Sequence, residues 1–210
     1  MARLSGLYAL TPDLADTAEL LRRARAALLG GARLLQYRNK GADGAQRREQ
    51  AGALLGLCRE FGAPLIVNDD LGLALEIGAD GAHLGREDGD LAAARAALGP
   101  GRLLGVSCYD AMERAREAKR NGADYVAFGS FFASPTKPAA VRAPLALPAQ
   151  ARAELGLPVC AIGGITLQNA PQLLAAGVDL LAVITDLFEA PDIRARAAAF
   201  TSLFQERVTS

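Results

Sequence analysis

Eight short apolar runs, each four or five residues long, alternate with helix-like segments rich in Ala, Leu and Arg, and no other feature constrains the fold as much. The runs cover residues 6–10, 34–37, 64–67, 81–84, 103–107, 125–128, 159–162 and 180–184. Their near-continuous apolar character suits parallel strands buried on both faces. Helices are expected at 15–29, 44–61, 71–78, 91–98, 111–122, 148–155, 169–176 and 192–207. Gly78-Ala79-Asp80, Gly122-Ala123-Asp124 and Gly177-Val178-Asp179 each place a glycine at a helix end, where it tolerates the left-handed turn into the next strand. Eight such units close most simply into an α/β fold, a single-domain (β/α)8 TIM barrel over residues 1–210. An open doubly wound sheet is the alternative. The first strand is not followed by Gly-x-Gly-x-x-Gly, which weakens a dinucleotide-binding version.

Positive and negative side chains balance at 23 each, so no overall field favours nucleic acid or an acidic membrane. Charge that binds an anion must then be local. No stretch approaches the roughly 20 apolar residues of a membrane span. Residues 1–5 lack the apolar core of a signal peptide. Cys58, Cys108 and Cys160 form no CxxC, and His83 is the only histidine, so a structural zinc site is not expected. Cys58 and Cys160 read as buried thiols, and the compartment reads as reducing, the cytoplasm. Whether the chain forms a homo-oligomer is not legible here, because an exposed apolar patch needs coordinates.

In a parallel barrel the residues just after each strand share one rim, where active sites form. Those positions hold Thr11 and Asp13; Gln36, Arg38 and Lys40; Asn68, Asp69 and Asp70; Glu87 and Asp88; Ser107; Ser130, Ser134, Thr136 and Lys137; Gly163 and Gly164; and Thr185. Positions before the strands are Ala, Gly, Pro and Leu, apart from the recurrent turn Asp. Arg38 and Lys40 lie two apart, so they point the same way, offering a planar fork and a point charge to diphosphate oxygens. Taken alone they are better read as a solvated basic turn. Lys137 shifts that balance: three cations on one rim would repel one another, by ~4 kcal/mol for a pair at 4 Å and an effective dielectric of 20, unless an anion joins them.

Asp69 and Asp88 follow neighbouring strands, and carboxylates converging on one site call for a cation such as Mg2+. Asp70 and Asp90 are better suited to capping helices. Gly163-Gly164 and Ile184-Thr185 fall where barrels often bind phosphate through backbone N–H groups. His83 reads more simply as a hydrogen-bonded histidine at the barrel mouth than as a metal ligand or base. Cys108 reads as lining rather than nucleophile. The long loop 129–147 is expected to be functional or mobile, and closure over substrate is one hypothesis for it.

These segments together resemble the thiamine-phosphate synthase family. The resemblance rests on Gly6-Leu7-Tyr8-Ala9-Leu10-Thr11, the Gln-x-Arg-x-Lys element at Gln36 to Lys40, Asn68-Asp69-Asp70, the run from Gly81 to Asp88, Gly105-Val106-Ser107, Ser134-Pro135-Thr136-Lys137 and Ile162-Gly163-Gly164-Ile165. It implies a transferase that joins a hydroxymethylpyrimidine diphosphate to a thiazole phosphate, two small phosphorylated substrates. It implies further that Gln36, Tyr37, Arg38, Asn39, Lys40, Asn68, Ser107 and Lys137 hold the pyrimidine diphosphate, with Arg38, Lys40, Ser107 and Lys137 catalytic. Ser134, Pro135, Thr136, Gly164, Ile184 and Thr185 would hold the thiazole phosphate, and Asp69 and Asp88 one Mg2+. Ser134 and Thr185 each exchange one hydroxyl residue for another, and Tyr37 replaces a usual Leu. The alternatives are a thiazole tautomerase-like relative, which carries a histidine where Cys108-Tyr109 follows Ser107, a phosphosugar isomerase, and a non-catalytic phosphate-binding barrel, which has no use for Asp69 and Asp88.

Overall fold

The computed structural model describes residues 4–133 and 141–206. Eight parallel strands form a closed barrel in sequence order: β1 Gly6–Leu10, β2 Leu34–Tyr37, β3 Leu65–Asn68, β4 Gly81–Leu84, β5 Leu103–Tyr109, β6 Tyr125–Phe128, β7 Val159–Ile162 and β8 Leu180–Val183. β1 pairs with both β2 and β8, which closes the ring and leaves no open sheet edge. The doubly wound alternative is therefore excluded. Helices α1 Thr17–Leu29, α2 Gly44–Phe61, α3 Leu71–Ile77, α4 Leu91–Leu98, α5 Met112–Arg120, α6 Leu147–Leu155, α7 Ala170–Ala175 and α9 Ile193–Glu206 follow the strands, with a short α8, Thr185–Phe188, after β8.

Strand alternation divides the core into two layers. Tyr8, Leu10, Leu34, Ile66, Tyr125, Ala127, Cys160, Leu180 and Ala182 fill the barrel interior. Leu7, Ala9, Leu35, Tyr37, Val67, Leu104, Val106 and Phe128 face outward under the helices. Cys108 belongs to this outer layer, being adjacent to Ser107 on the strand, so it lines no part of the rim. Burial pushes its thiol up to about 12, and that of Cys58 equally, which makes both inert. All three thiols are free and buried.

The helix starts follow local chemistry. Asp70 accepts from Leu73 N at 2.9 Å and Asp90 from Ala93 N at 2.7 Å, satisfying donors that the first turns leave open. Gly78 ends α3 at φ 68° and Gly62 ends α2 at φ 62°, conformations that a Cβ would strain. Sequence boundaries hold within about two residues, with one correction. Residue 184 does not extend the last strand: β8 stops at Val183, and Ile184 stands directly before α8, whose first residue is Thr185, without a side-chain cap.

Candidate active site

The rim around β2 and β3 forms a cavity of about 290 Å³ lined by Tyr37, Arg38, Asn39, Lys40, Arg47, Val67, Asn68, Asp69, Asp70 and Leu73. Asp13, on the loop after β1, organises its basic side. The Asp13 carboxylate accepts from Arg38 Nη1 at 2.8 Å and from Lys40 N at 3.1 Å. Thr11, fully buried, exchanges hydrogen bonds with the Arg38 main chain, both at 2.9 Å. Lys40 Nζ lies 3.7 Å from Asp69 Oδ2. Arg38 and Lys40 therefore share one cavity, as period-two alternation requires.

Tyr37 and Asn39 alternate with these cations and build the wall. The Tyr37 hydroxyl donates to Gln50 Oε1 at 2.9 Å, and Asn39 Nδ2 donates to Gln50 Oε1 and Leu14 O at 3.0 and 2.8 Å. Gly41 N donates to Asn39 Oδ1 at 3.1 Å. The side-chain polar atoms of both residues are thus engaged within the protein. The Asn68 amide makes no hydrogen bond to the described residues and remains available.

Asp69 adopts φ 60°, unusual for a residue with a Cβ, and its N–H donates to His83 O at 2.9 Å. Its carboxyl is close enough to Asp88 to act on that group. Burial, and then this neighbouring acid, raise Asp88 from the ordinary carboxylate range, while the Gly85 N–H, donated at 2.6 Å, and Lys40 oppose the shift. No cluster of three or more His, Cys, Asp or Glu suited to a metal exists among the described residues, so Asp69 and Asp88 stand as a pair.

Gln36 and Ser107 occupy the inner face instead. Gln36 Nε2 donates to Tyr8 OH at 2.7 Å, and Ser107 Oγ meets His83 Nε2 at 2.8 Å. Tyr8 and Tyr125 hydroxyls lie 2.9 Å apart, and Tyr125 OH is 3.0 Å from His83 Nδ1. His83 is therefore the hydrogen-bonded histidine that its place on β4 suggested. Arg114 fastens the rim beside it, donating to Ser107 O and Gly85 O at 2.7 Å each.

Gly163 and Gly164 carry φ 99° and 63°. A Cβ at Gly163 would overlap Ser130, and one at Gly164 the main chain of Phe132 and Ala133. The glycine pair is thus explained first by close approach of the loop after β6. Ile184 and Thr185 sit at the uncapped start of α8. Gly164, Ile184 and Thr185 belong to the β7–β8 side of the rim and do not line the cavity at β2–β3. Ser134, Pro135, Thr136 and Lys137 lie outside the described residues.

Arg47 is the cavity residue that sequence reading missed. It comes from the first turns of α2, with its Nε buried and without a hydrogen-bond partner, and it makes no ion pair with the described residues. The only available signal was its place seven residues beyond Lys40, and an Arg on a helix reads first as a solvated charge.

Fold and rim together define a (β/α)8 barrel with cations and a carboxyl pair on one edge. The profile of the thiamine monophosphate synthase family matches residues 7–187. A thiamine-phosphate synthase of Aromatoleum aromaticum is 60% identical over 202 residues, 96% of this chain and 97% of that protein. One of Methylobacillus flagellatus is 58% identical over 201 residues, 96% of each. The structure of thiamine phosphate pyrophosphorylase from Pyrococcus furiosus superposes with a TM-score of 0.85 at 34% identity, covering 98% of both chains. The chain belongs to the thiamine-phosphate synthase family, and it is an enzyme, a transferase of thiamine biosynthesis.

Proposed function

We propose that the enzyme joins 4-amino-2-methyl-5-(diphosphooxymethyl)pyrimidine to 4-methyl-5-(2-phosphooxyethyl)thiazole, releasing thiamine phosphate and diphosphate. The observation that carries this reading is the gathering of Arg38, Lys40 and Asn68 around one cavity, beside the Asp69–Asp88 pair. Arg38 and Lys40 bind the diphosphate by charge-assisted hydrogen bonds, Asn68 and Ser107 add neutral donors, and Gln36 borders the pyrimidine. Tyr37 and Asn39 shape this loop, since their own polar atoms are engaged. Arg47 is a further cation for the outer diphosphate oxygens. Lys137 is assigned to the diphosphate from sequence, and Ser134, Pro135, Thr136, Gly164, Ile184 and Thr185 to the thiazole phosphate.

The carboxyl pair fits one Mg2+. Two neighbouring acids repel when both are ionised, and Mg2+ accepts one or two carboxylates while leaving positions for water and phosphate oxygens. When bound, the ion neutralises charge that develops on the departing diphosphate. Arg38, Lys40 and Ser107 stabilise the same charge from the protein side and so favour cleavage of the bond to the exocyclic methylene. The electron-rich aminopyrimidine shares the resulting positive charge, and the thiazole nitrogen attacks the methylene. Holding the two rings face to face supplies the orientation. Neither a protein nucleophile nor a strong general base is required.

The substrates are small molecules, and no helix of the described residues is long and apolar enough to cross a membrane. The free, buried thiols support a reducing, cytoplasmic setting.

The test is incubation with both substrates, with Mg2+ or with a chelator, followed by assay of thiamine phosphate and diphosphate. Product is expected only with Mg2+. Asp88→Ala is expected to lower kcat by about 10²-fold or more with little change in thermal midpoint. Retained turnover in a destabilised Asp88→Ala protein would contradict the assignment.

A further inference from the structure

A hydrogen-bonded chain crosses the barrel interior, and the substrate roles above use only its two ends. It runs from Gln36 Nε2 to Tyr8 OH at 2.7 Å, to Tyr125 OH at 2.9 Å, to His83 Nδ1 at 3.0 Å, and from His83 Nε2 to Ser107 Oγ at 2.8 Å. Tyr8, Tyr125 and His83 are buried, at 1%, 0% and 6% exposure. Five strands contribute one residue each, β2, β1, β6, β4 and β5 in that order.

The chain has a direction. A phenol carries one hydrogen, and a neutral imidazole carries one on only one nitrogen. Tyr8 accepts from Gln36, so its own hydrogen goes to Tyr125, the other partner of that hydroxyl. Tyr125 then gives its hydrogen to His83 Nδ1. With Nδ1 accepting, the ring proton sits on Nε2 and is donated to Ser107 Oγ. Ser107 is left as an acceptor toward His83, and its own hydrogen turns elsewhere. Reversing the run at Tyr125 or His83 would keep each link paired but leave the hydrogen of buried Tyr8 or Tyr125 without one of these acceptors, and buried unmet polar groups are costly.

The packing around the chain is equally specific. A Cβ on Gly105 would overlap the Tyr125 ring and hydroxyl and meet His83 Nδ1, so β5 carries no side chain where these two rings meet. The His83 and Tyr125 rings stack at 5.6 Å with 29° between planes, and Tyr8 meets Tyr125 edge-on at 6.0 Å. The imidazole is held in place by ring contacts as well as by its nitrogens.

We propose that His83 is a positioning residue: held by Tyr8 and Tyr125 as its Nε2–H tautomer, it occupies a lone pair of Ser107 and so presents the Ser107 hydrogen to the diphosphate of the substrate. The inference rests on the reading in which Ser107 contacts that diphosphate. A serine hydroxyl that gave its hydrogen to the imidazole would instead turn a lone pair toward an anion, which repels. The orientation is fixed before substrate arrives, so binding does not have to select it.

His83 is the only histidine, which makes the tautomer directly measurable. Nitrogen NMR of protein carrying isotope-labelled histidine is expected to show a protonated Nε2 and a bare Nδ1, and Tyr125→Phe, which keeps the ring, is expected to weaken that preference. A proton on Nδ1 in the unsubstituted protein overturns the proposal. In kinetics, Ser107→Ala and His83→Ala are each expected to lower kcat/KM for the pyrimidine diphosphate by about tenfold to a hundredfold. The double variant is expected to be no worse than Ser107→Ala alone, because His83 acts through that hydroxyl. Losses that multiply overturn the positioning role and leave the substrate reading standing. An unchanged kcat/KM in Ser107→Ala overturns both, whatever the tautomer. His83→Gln, whose amide can reach Ser107 as a donor, is expected to recover part of the loss. Its failure to do so, in a protein with normal thermal unfolding, also counts against the proposal.

Discussion

At Asn68, Asp69 and Asp70 the chain leaves β3 and sends three neighbouring polar side chains to three tasks. Asn68 faces the barrel interior, Asp69 turns through a left-handed conformation to meet Asp88, and Asp70 closes the first turn of α3. The capping role of Asp70 was legible in sequence, because a cap must stand directly before its helix and Asp70 precedes Leu71. The engagement of Tyr37 and Asn39 was not, since their partner Gln50 stands more than a helical turn inside α2 and only the folded loop brings it near. Arg47 was hidden for the same reason. A half-buried guanidinium that makes no ion pair with the described residues contributes little to stability, so Arg47→Ala is expected to leave the thermal midpoint unchanged or slightly higher. Loss of a hydrogen bond to a charged oxygen should raise KM for the pyrimidine diphosphate by about tenfold to a hundredfold. Steady-state kinetics beside calorimetry separates the two effects. An unchanged KM would remove Arg47 from the substrate site.

Among the elements, β5 joins the inward-facing Ser107 to an irregular strand end. Its pairing with β6 shifts register between Ser107 and Tyr109, and Tyr109 takes φ 55°, so the strand ends with Ser107 inward and Cys108 outward. Such irregularities re-aim side chains at barrel rims. The sequence reading ended this strand at Ser107 and placed Cys108 at the rim, because an apolar run gives no sign of where pairing slips. The start of α8 escaped notice similarly: Ile184 prolongs the apolar run of β8, and nothing in its identity reports the turn. Glycine at 105 read only as part of a family segment, yet it is the space into which Tyr125 and His83 pack. Gly105→Ala is therefore expected to cost about 1–3 kcal/mol by overpacking. It should also displace the Tyr125–His83 contact, giving a lower urea midpoint together with a loss of kcat/KM that Gly101→Ala, in open space, does not share.

At the scale of the whole molecule the barrel separates chemistry from stability by its two ends. The rim after the strands holds the cations, the paired acids and the uncapped start of α8. The opposite rim holds the recurrent aspartates, which the sequence presented only as turn residues. Their carboxylates brace the strand before: Asp80 accepts from Leu65 N at 2.8 Å, Asp124 from Leu104 N at 2.7 Å, and Asp179 from Val159 N at 3.0 Å. Each spans 15 to 20 residues of sequence, a distance at which no local pattern reveals a partner. Each thus ties the start of an even-numbered strand to that of its odd-numbered neighbour, where a parallel ladder would otherwise leave an N–H unmet. Asp179 is the most enclosed of the three, at 4% exposure, and its Oδ1 also lies 3.6 Å from Arg152. Asp179→Ala removes the acceptor from a buried N–H and should lower unfolding free energy by about 1–3 kcal/mol. For a chain of this size each of those kcal/mol lowers Tm by about 2–4 °C. Asp179→Asn, which keeps an oxygen in place, should lose less. Because the substitution lies at the end of the barrel away from Arg38, Asp69 and Ser107, kcat per folded molecule should stay unchanged below the unfolding transition. Parallel urea titrations and initial-rate measurements decide it, and a fall in kcat at full foldedness would mean that the two ends of the barrel are mechanically coupled.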